Sequence, residues 1–141
     1  MSPHQLYRIA SVLLVLYAAG HQAGFRRVDP RWNADATVAA MRTTFLVQGR
    51  TRSYWDFFSG FGFFCTGLLL LSAVLAWRLG ALPPDVLRTM GVLRWSFAAC
   101  FTFLTGLTWR HFFPAPAIFS ALVAVSLLLA AWQAGAGVLA P

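Results

Sequence analysis

The side chains that could do chemistry in this sequence are few, and they fall in short runs. His21 lies in Gly20-His21-Gln22-Ala23-Gly24, Asp56 in Tyr54-Trp55-Asp56-Phe57-Phe58, and His111 follows Arg110. An imidazole and a carboxylate meeting at one site can move a proton on or off a substrate, so His21 and Asp56 are the candidate catalytic pair. A carboxylate among aromatic residues at a membrane boundary is costly unless paired or solvated. Asp56 therefore either locks onto Arg50, Arg52 or Arg110, or faces a ligand. Gly60 lies one turn later on the same helix face and Gly62 follows, leaving a notch beside the carboxylate. Tyr17 precedes His21 by four residues, so the two can line one wall of a pocket. The spacing Gly20-x-x-x-Gly24 also suits close approach of another helix, a packing role that needs no ligand.

Thr102, Thr105 and Thr108 form an i+3 row leading towards His111. Such threonines either bond back to their own helix carbonyls or make a polar track for a ligand. Cys65 and Cys100 sit inside apolar runs with no charged neighbour to stabilise a thiolate, so they read as small packing residues. No cofactor or metal is expected. His21 and His111, with Asp56 as a third donor, are the alternative set for a haem or metal ion. The sequence holds no phosphate-binding loop, nucleophile elbow, zinc-protease motif or dinucleotide fingerprint.

The elements that must position these residues follow from composition. Of 141 residues, 59% are hydrophobic and 11% charged, and the mean hydropathy is +0.66. A soluble domain carries about 25% charged residues, and a disordered chain needs low hydrophobicity, so both classes are excluded. All eleven basic residues are Arg and all four acids are Asp, for a net charge of +7. The arginines gather at the ends of apolar segments, where positive charge meets lipid headgroups, and not in a nucleic-acid-binding stripe. Membrane lipids are the expected partners, with a hydrophobic small molecule, a second copy or another membrane subunit as further candidates and no nucleic acid.

Four spans are expected, over residues 6–24, 54–77, 84–111 and 115–133, in a single integral membrane domain covering 1–141. Arg8 followed by an apolar run and Ala18-Ala19-Gly20 also imitates a secretory signal. Between Asp56 and Arg78 lie 21 uncharged residues, close to the ~20 needed to cross the hydrocarbon. The third span starts at Pro84 with Asp85 in its first turn. Its 15 uncharged residues between Arg94 and Arg110 suffice if Arg94 snorkels to the interface. Within the first loop, residues 36–48 read as a short amphipathic interfacial helix, with Asp35 as N-cap, Gly49 as stop, and Val38, Met41 and Phe45 on one stripe. It either covers the bundle end or acts as a lid. The expected fold is thus all-α, a four-helix transmembrane bundle with an interfacial helix in its first loop.

Alternation of four spans brings His21, Arg50, Arg52, Tyr54, Asp56, Arg110 and His111 to one membrane side. The expected ligand-binding set is Tyr17, His21, Tyr54, Asp56, Gly60, Thr108, Arg110 and His111, with His21 and Asp56 close together on inner helix faces. Gly20-His21-x-x-Gly24 followed by Asp56-Phe57-x-x-Gly60-Phe61-Gly62 resembles an uncharacterised family of small bacterial four-span membrane proteins, which brings no activity with it. In size and span number the chain is more loosely similar to the sterol isomerase and sigma-2 receptor group. That similarity implies a sterol-like ligand within a four-helix bundle, although Asp56 is the only acid comparable to that group's several. The expected function is binding of a lipid-like or other amphipathic small ligand at the His21/Asp56 end. A small membrane enzyme moving protons on a lipid-soluble substrate and an accessory membrane subunit are the alternatives.

Seven of the eleven arginines (Arg26, Arg27, Arg31, Arg42, Arg50, Arg52, Arg110) fall on the loop-one side, which the positive-inside bias assigns to the cytoplasm of a bacterial inner membrane. With Cys65 and Cys100 replaced by serine, Asn33→Cys should stay unlabelled by an impermeant thiol reagent in intact cells and react after lysis. Labelling in intact cells reverses the orientation.

Overall fold

Ser2 and Gln5 start the first helix by capping each other: the Ser2 N–H donates to Gln5 Oε1 (2.8 Å), and the Gln5 N–H donates to Ser2 Oγ (3.3 Å). This reciprocal box, with Pro3 in the first helical position, satisfies two N–H groups that the first turn leaves open. In the computed structural model, which describes residues 1–136, helix α1 runs over Pro3–Gly24. A 3-10 turn at Pro30–Trp32, helix α2 (Asp35–Met41) and strands β1 (Thr44–Val47) and β2 (Arg50–Ser53) follow. The rest is helical: α3 (Tyr54–Leu79), α4 (Pro84–Thr89), α5 (Gly91–His111) and α6 (Pro114–Ala136). The fold is all-α apart from the hairpin, and α3 and α6 are long and apolar enough to cross a membrane.

The chain divides into two compact units, one of Met1–Tyr17 with residues 69–136, the other of Ala18–Leu68. The first holds the main hydrophobic cluster, built from Leu6, Tyr7 and Leu14 of α1, Ala76 and Leu79 of α3, Phe97 and Phe101 of α5, and Val123 and Leu127 of α6. Small residues let its helices approach closely. The buried face of α6 is Ala117, Ser120, Ala124, Ala130 and Ala131 with Val123 and Leu127 between them. Buried hydroxyls tie the elements together: Ser11 Oγ donates to Ala73 O across α1 and α3 (2.8 Å), and Thr108 Oγ1 bonds Ser120 Oγ across α5 and α6 (2.8 Å). Thr102, Thr105 and Thr108 each donate back to a carbonyl four residues earlier, as one of the two sequence readings required.

The third expected span is broken. It ends as α4 at Thr89 and restarts as α5 at Gly91, with Met90 (φ −86°, ψ 36°) at the joint. The break frees the Arg88 carbonyl, and Arg94 uses it. Arg94 does not snorkel outward: it is only 4% exposed, donating from Nη2 to Arg88 O (3.2 Å) and from Nη1 to Ala131 O (2.8 Å). Its Nε and the Tyr7 hydroxyl are buried without a hydrogen-bond partner among the described residues.

In the second unit the expected interfacial helix over residues 36–48 is only its first half. Helix α2 ends at Met41, with Asp35 its first residue and not its cap, and the chain turns into an antiparallel hairpin pairing Thr44 with Ser53 and Val47 with Arg50. Gln48 (φ 48°) and Gly49 (φ 75°) are both left-handed, the two-residue turn geometry that matches strand twist. Gly49 is therefore a hairpin residue and not a helix stop. Thr44, Phe45 and Val47 favour the extended chain, and alternation leaves Phe45 and Val47 half-buried while Leu46 is 75% exposed. Two further expectations fail: Cys65 and Cys100 are exposed and not buried packing residues, and a methyl group added at Gly20, Gly24 or Gly60 would meet no neighbour.

Arg94→Lys removes the planar fork that reaches two carbonyls at once. It should lower unfolding free energy by about 1–3 kcal/mol, the worth of one charge-assisted hydrogen bond. Denaturation of the detergent-solubilised protein measures it, and unchanged stability would show that the two-carbonyl grip contributes nothing.

Candidate functional site

The Ala18–Leu68 unit carries most of the polar chemistry, and its carboxylates are the clearest part. Asp56 caps its own helix. Its Oδ2 accepts from the Ser53 N–H (2.8 Å) and the Ser53 hydroxyl (2.9 Å), while the Asp56 N–H approaches Ser53 Oγ (3.2 Å). This is a capping box with Asp at the third helical position, where a negative charge also suits the helix dipole. Neither Arg50 nor Arg52 pairs with it. Asp29 is engaged too, held by Arg31 through Nη2 (2.6 Å) and Nε (3.0 Å) while accepting from the Arg31 N–H (2.9 Å). Those bonds hold the Asp29 carboxyl below the usual carboxylate range. Theirs is the only ion pair among the described residues.

His21 is level with a different turn of α3. Its Nδ1 lies 3.0 Å from Thr66 Oγ1, and the Thr66 hydroxyl lies within reach of Gln22 Oε1 (3.2 Å) and Gly62 O (3.1 Å). A hydroxyl has one proton. If it goes to either of those acceptors, His21 must donate through Nδ1 and keep its lone pair on Nε2. The imidazole stacks on Phe25 at 5.1 Å and 7° between planes. Thr66 is ten residues beyond Asp56, about 15 Å along the helix axis. Phe25 fills the interval, packing on Phe58 (6.1 Å) and Phe63 (5.5 Å), and Phe58 packs on Trp55 (5.5 Å). A methyl at Gly62 would overlap the Phe25 ring, so this glycine, and not Gly60, forms the notch. The expected closeness of His21 and Asp56 is overturned: the aromatic layer separates them.

That layer positions two arginines instead. Arg26 spreads over Phe63 (5.0 Å) and Phe25 (5.4 Å), and the Arg42 guanidinium lies 4.9 Å from the Trp55 ring. Together with Val28, Asp35 and Val38 they line an open cleft of about 640 Å³. Aromatic contact orients each guanidinium without neutralising it. Sequence reasoning passed over Arg26, Arg42 and Ser53. The signals were present: Ser-x-x-Asp before an apolar run marks the box, and arginine interleaved with Phe25 and Trp55 marks the cleft.

The remaining predicted site residues have separate environments. Tyr54 is exposed and packs on Phe45 (5.1 Å) and Phe57 (6.5 Å). In the other unit, Tyr17 stacks on Phe119 (5.6 Å), Thr108 is buried against Ser120, and Arg110 and His111 are exposed at the end of α5. The described residues contain no group of three His, Cys, Asp or Glu that could hold a metal ion. Compared with protein-family models, curated proteins and solved structures, the chain matches none.

Ser53→Ala and Asp56→Asn should each cost about 0.5–2 kcal/mol, the usual worth of an N-cap. Because both disrupt one box, the double variant should cost little more than the worse single one. Additive losses in denaturation would show that Asp56 has a second partner.

Proposed function

We propose that this is a small integral membrane protein with four spans that binds a lipid-like amphipathic ligand at its loop-one end. The membrane reading rests on the outer faces of the helices. Val12, Val15 and Leu16 of α1, Leu68, Leu71 and Val74 of α3, Phe103 and Leu107 of α5, and Leu122 and Val125 of α6 are all exposed. A soluble monomer seldom presents apolar patches of more than a few hundred Å² to water, whereas lipid accepts them. The positive-inside bias puts the loop-one end in the cytoplasm of a bacterial inner membrane.

The single observation that carries ligand binding is the Arg26–Arg42–Trp55 cleft. Trp55 is the second residue of a 26-residue apolar helix, at the depth where such a helix leaves the hydrocarbon. A cleft there meets both the polar and the apolar part of an amphiphile. It moves the proposed binding site away from His21 and Asp56, which bond through Nδ1 to Thr66 and through Oδ2 to Ser53 and lie level with different turns of α3.

Native mass spectrometry of the protein in mild detergent tests this. Wild type and Asp56→Asn should retain an amphiphile, and the exposed charge reversal Arg42→Glu should lose it. Equal retention by Arg42→Glu removes the cleft from the function.

A further inference from the structure

The charges lining the cleft go further than a general affinity for amphiphiles. The guanidinium carbons of Arg26 and Arg42 lie 5.0 Å and 4.9 Å from the Phe63 and Trp55 ring centres, and neither side chain makes a hydrogen bond or ion pair among the described residues, so their N–H donors are left for a ligand. Asp35 lines the same cleft. Two cations and one anion line one cleft, yet Asp35 makes no ion pair with either arginine; among the described residues the only such pair is Arg31 with Asp29. Val28 and Val38 supply an apolar flank, and Trp55 marks headgroup depth in the proposed membrane setting.

From this arrangement we infer that the cleft binds the headgroup of an amine-bearing phospholipid, with the phosphate on Arg26 and Arg42 and the ammonium on Asp35. The inference rests on the membrane and ligand reading above and adds the chemistry of the headgroup. Two guanidinium edges suit the oxygens of one phosphate, because planar N–H donors match that geometry and charge-assisted hydrogen bonds are the strong ones. A purely anionic headgroup would leave Asp35 facing a like charge. An ammonium turns that repulsion into a third charge-assisted contact. A quaternary ammonium has no N–H to donate, so a primary amine fits the carboxylate better.

Lipid competition in nanodiscs tests the assignment. The intact protein is placed in equal mixtures of phosphatidylethanolamine, phosphatidylglycerol and phosphatidylcholine, then released and weighed by native mass spectrometry. Wild type should retain phosphatidylethanolamine about tenfold over either competitor, on the scale of one charge-assisted contact. Asp35→Asn should abolish that preference while lipid is still retained, and Arg26→Gln with Arg42→Gln should lose retention of all three. All three positions are exposed, so none of these variants removes a buried side chain. Soluble phosphoethanolamine at equal concentration should not displace the lipid; displacement would assign the site to a free metabolite and overturn the lipid source. Retention through the arginines without headgroup preference overturns the amine assignment and leaves the ligand reading standing. Retention indifferent to the arginines overturns both.

Discussion

One buried cation organises the larger unit. Moving a guanidinium out of water costs several kcal/mol unless other dipoles replace its hydration. Among the described residues Arg94 has no carboxylate in an ion pair with it. Its compensation comes from two carbonyls, Arg88 O at the end of α4 and Ala131 O in the penultimate turn of α6. Both lie towards the negative ends of helix dipoles, where a cation is favoured. The broken helix follows from the same demand. In a continuous helix Arg88 O would accept from residue 92, and the fracture at Met90 releases it towards the side chain. Short residues on α6 then allow the stem of Arg94 to run inside the unit without displacing Phe97 or Leu127.

The smaller unit obeys a different constraint, the placement of one aromatic ring. Phe25 follows directly on the end of α1, and the absence of a side chain at Gly62 lets it lie against α3. From there it meets His21, Phe58 and Phe63, and it contacts the guanidinium of Arg26. The hairpin adds a second aromatic group, Phe45 with Tyr54 and Phe57. A two-stranded hairpin is marginal by itself in water. Here its second strand leads directly into the Ser53 cap of α3, so strand pairing and helix initiation share a residue.

Charge is handled by separation. Asp29 is matched to Arg31 and Asp56 is consumed by a helix cap, while Arg26 and Arg42 rest on rings. Rings attract cations without neutralising them, so positive potential survives at the cleft.

How much of this was legible in the sequence depends on the range of the interaction. The helices α1, α3 and α6 were, because each holds a long apolar run with at most one charge inside it, and so was the body of α5, though not its separation from α4 at Met90. So was the back-bonding of Thr102, Thr105 and Thr108, a contact within one turn. The Ser53–Asp56 and Ser2–Gln5 boxes are equally local and were readable in principle from a three-residue spacing. What only the tertiary structure decided are the choices between partners far apart in the chain. Residues 42–48 fit a helical stripe as well as a strand, and pairing with residues 50–53 settled the matter. Arg94 could have reached outward from its own helix, but two carbonyls at residues 88 and 131 drew it in. His21 and Asp56 share a loop-one end by counting residues, yet the side chain of Phe25, seated where Gly62 has none, sets them on different turns. Periodicity along one segment carries no information about which distant surface will complete it.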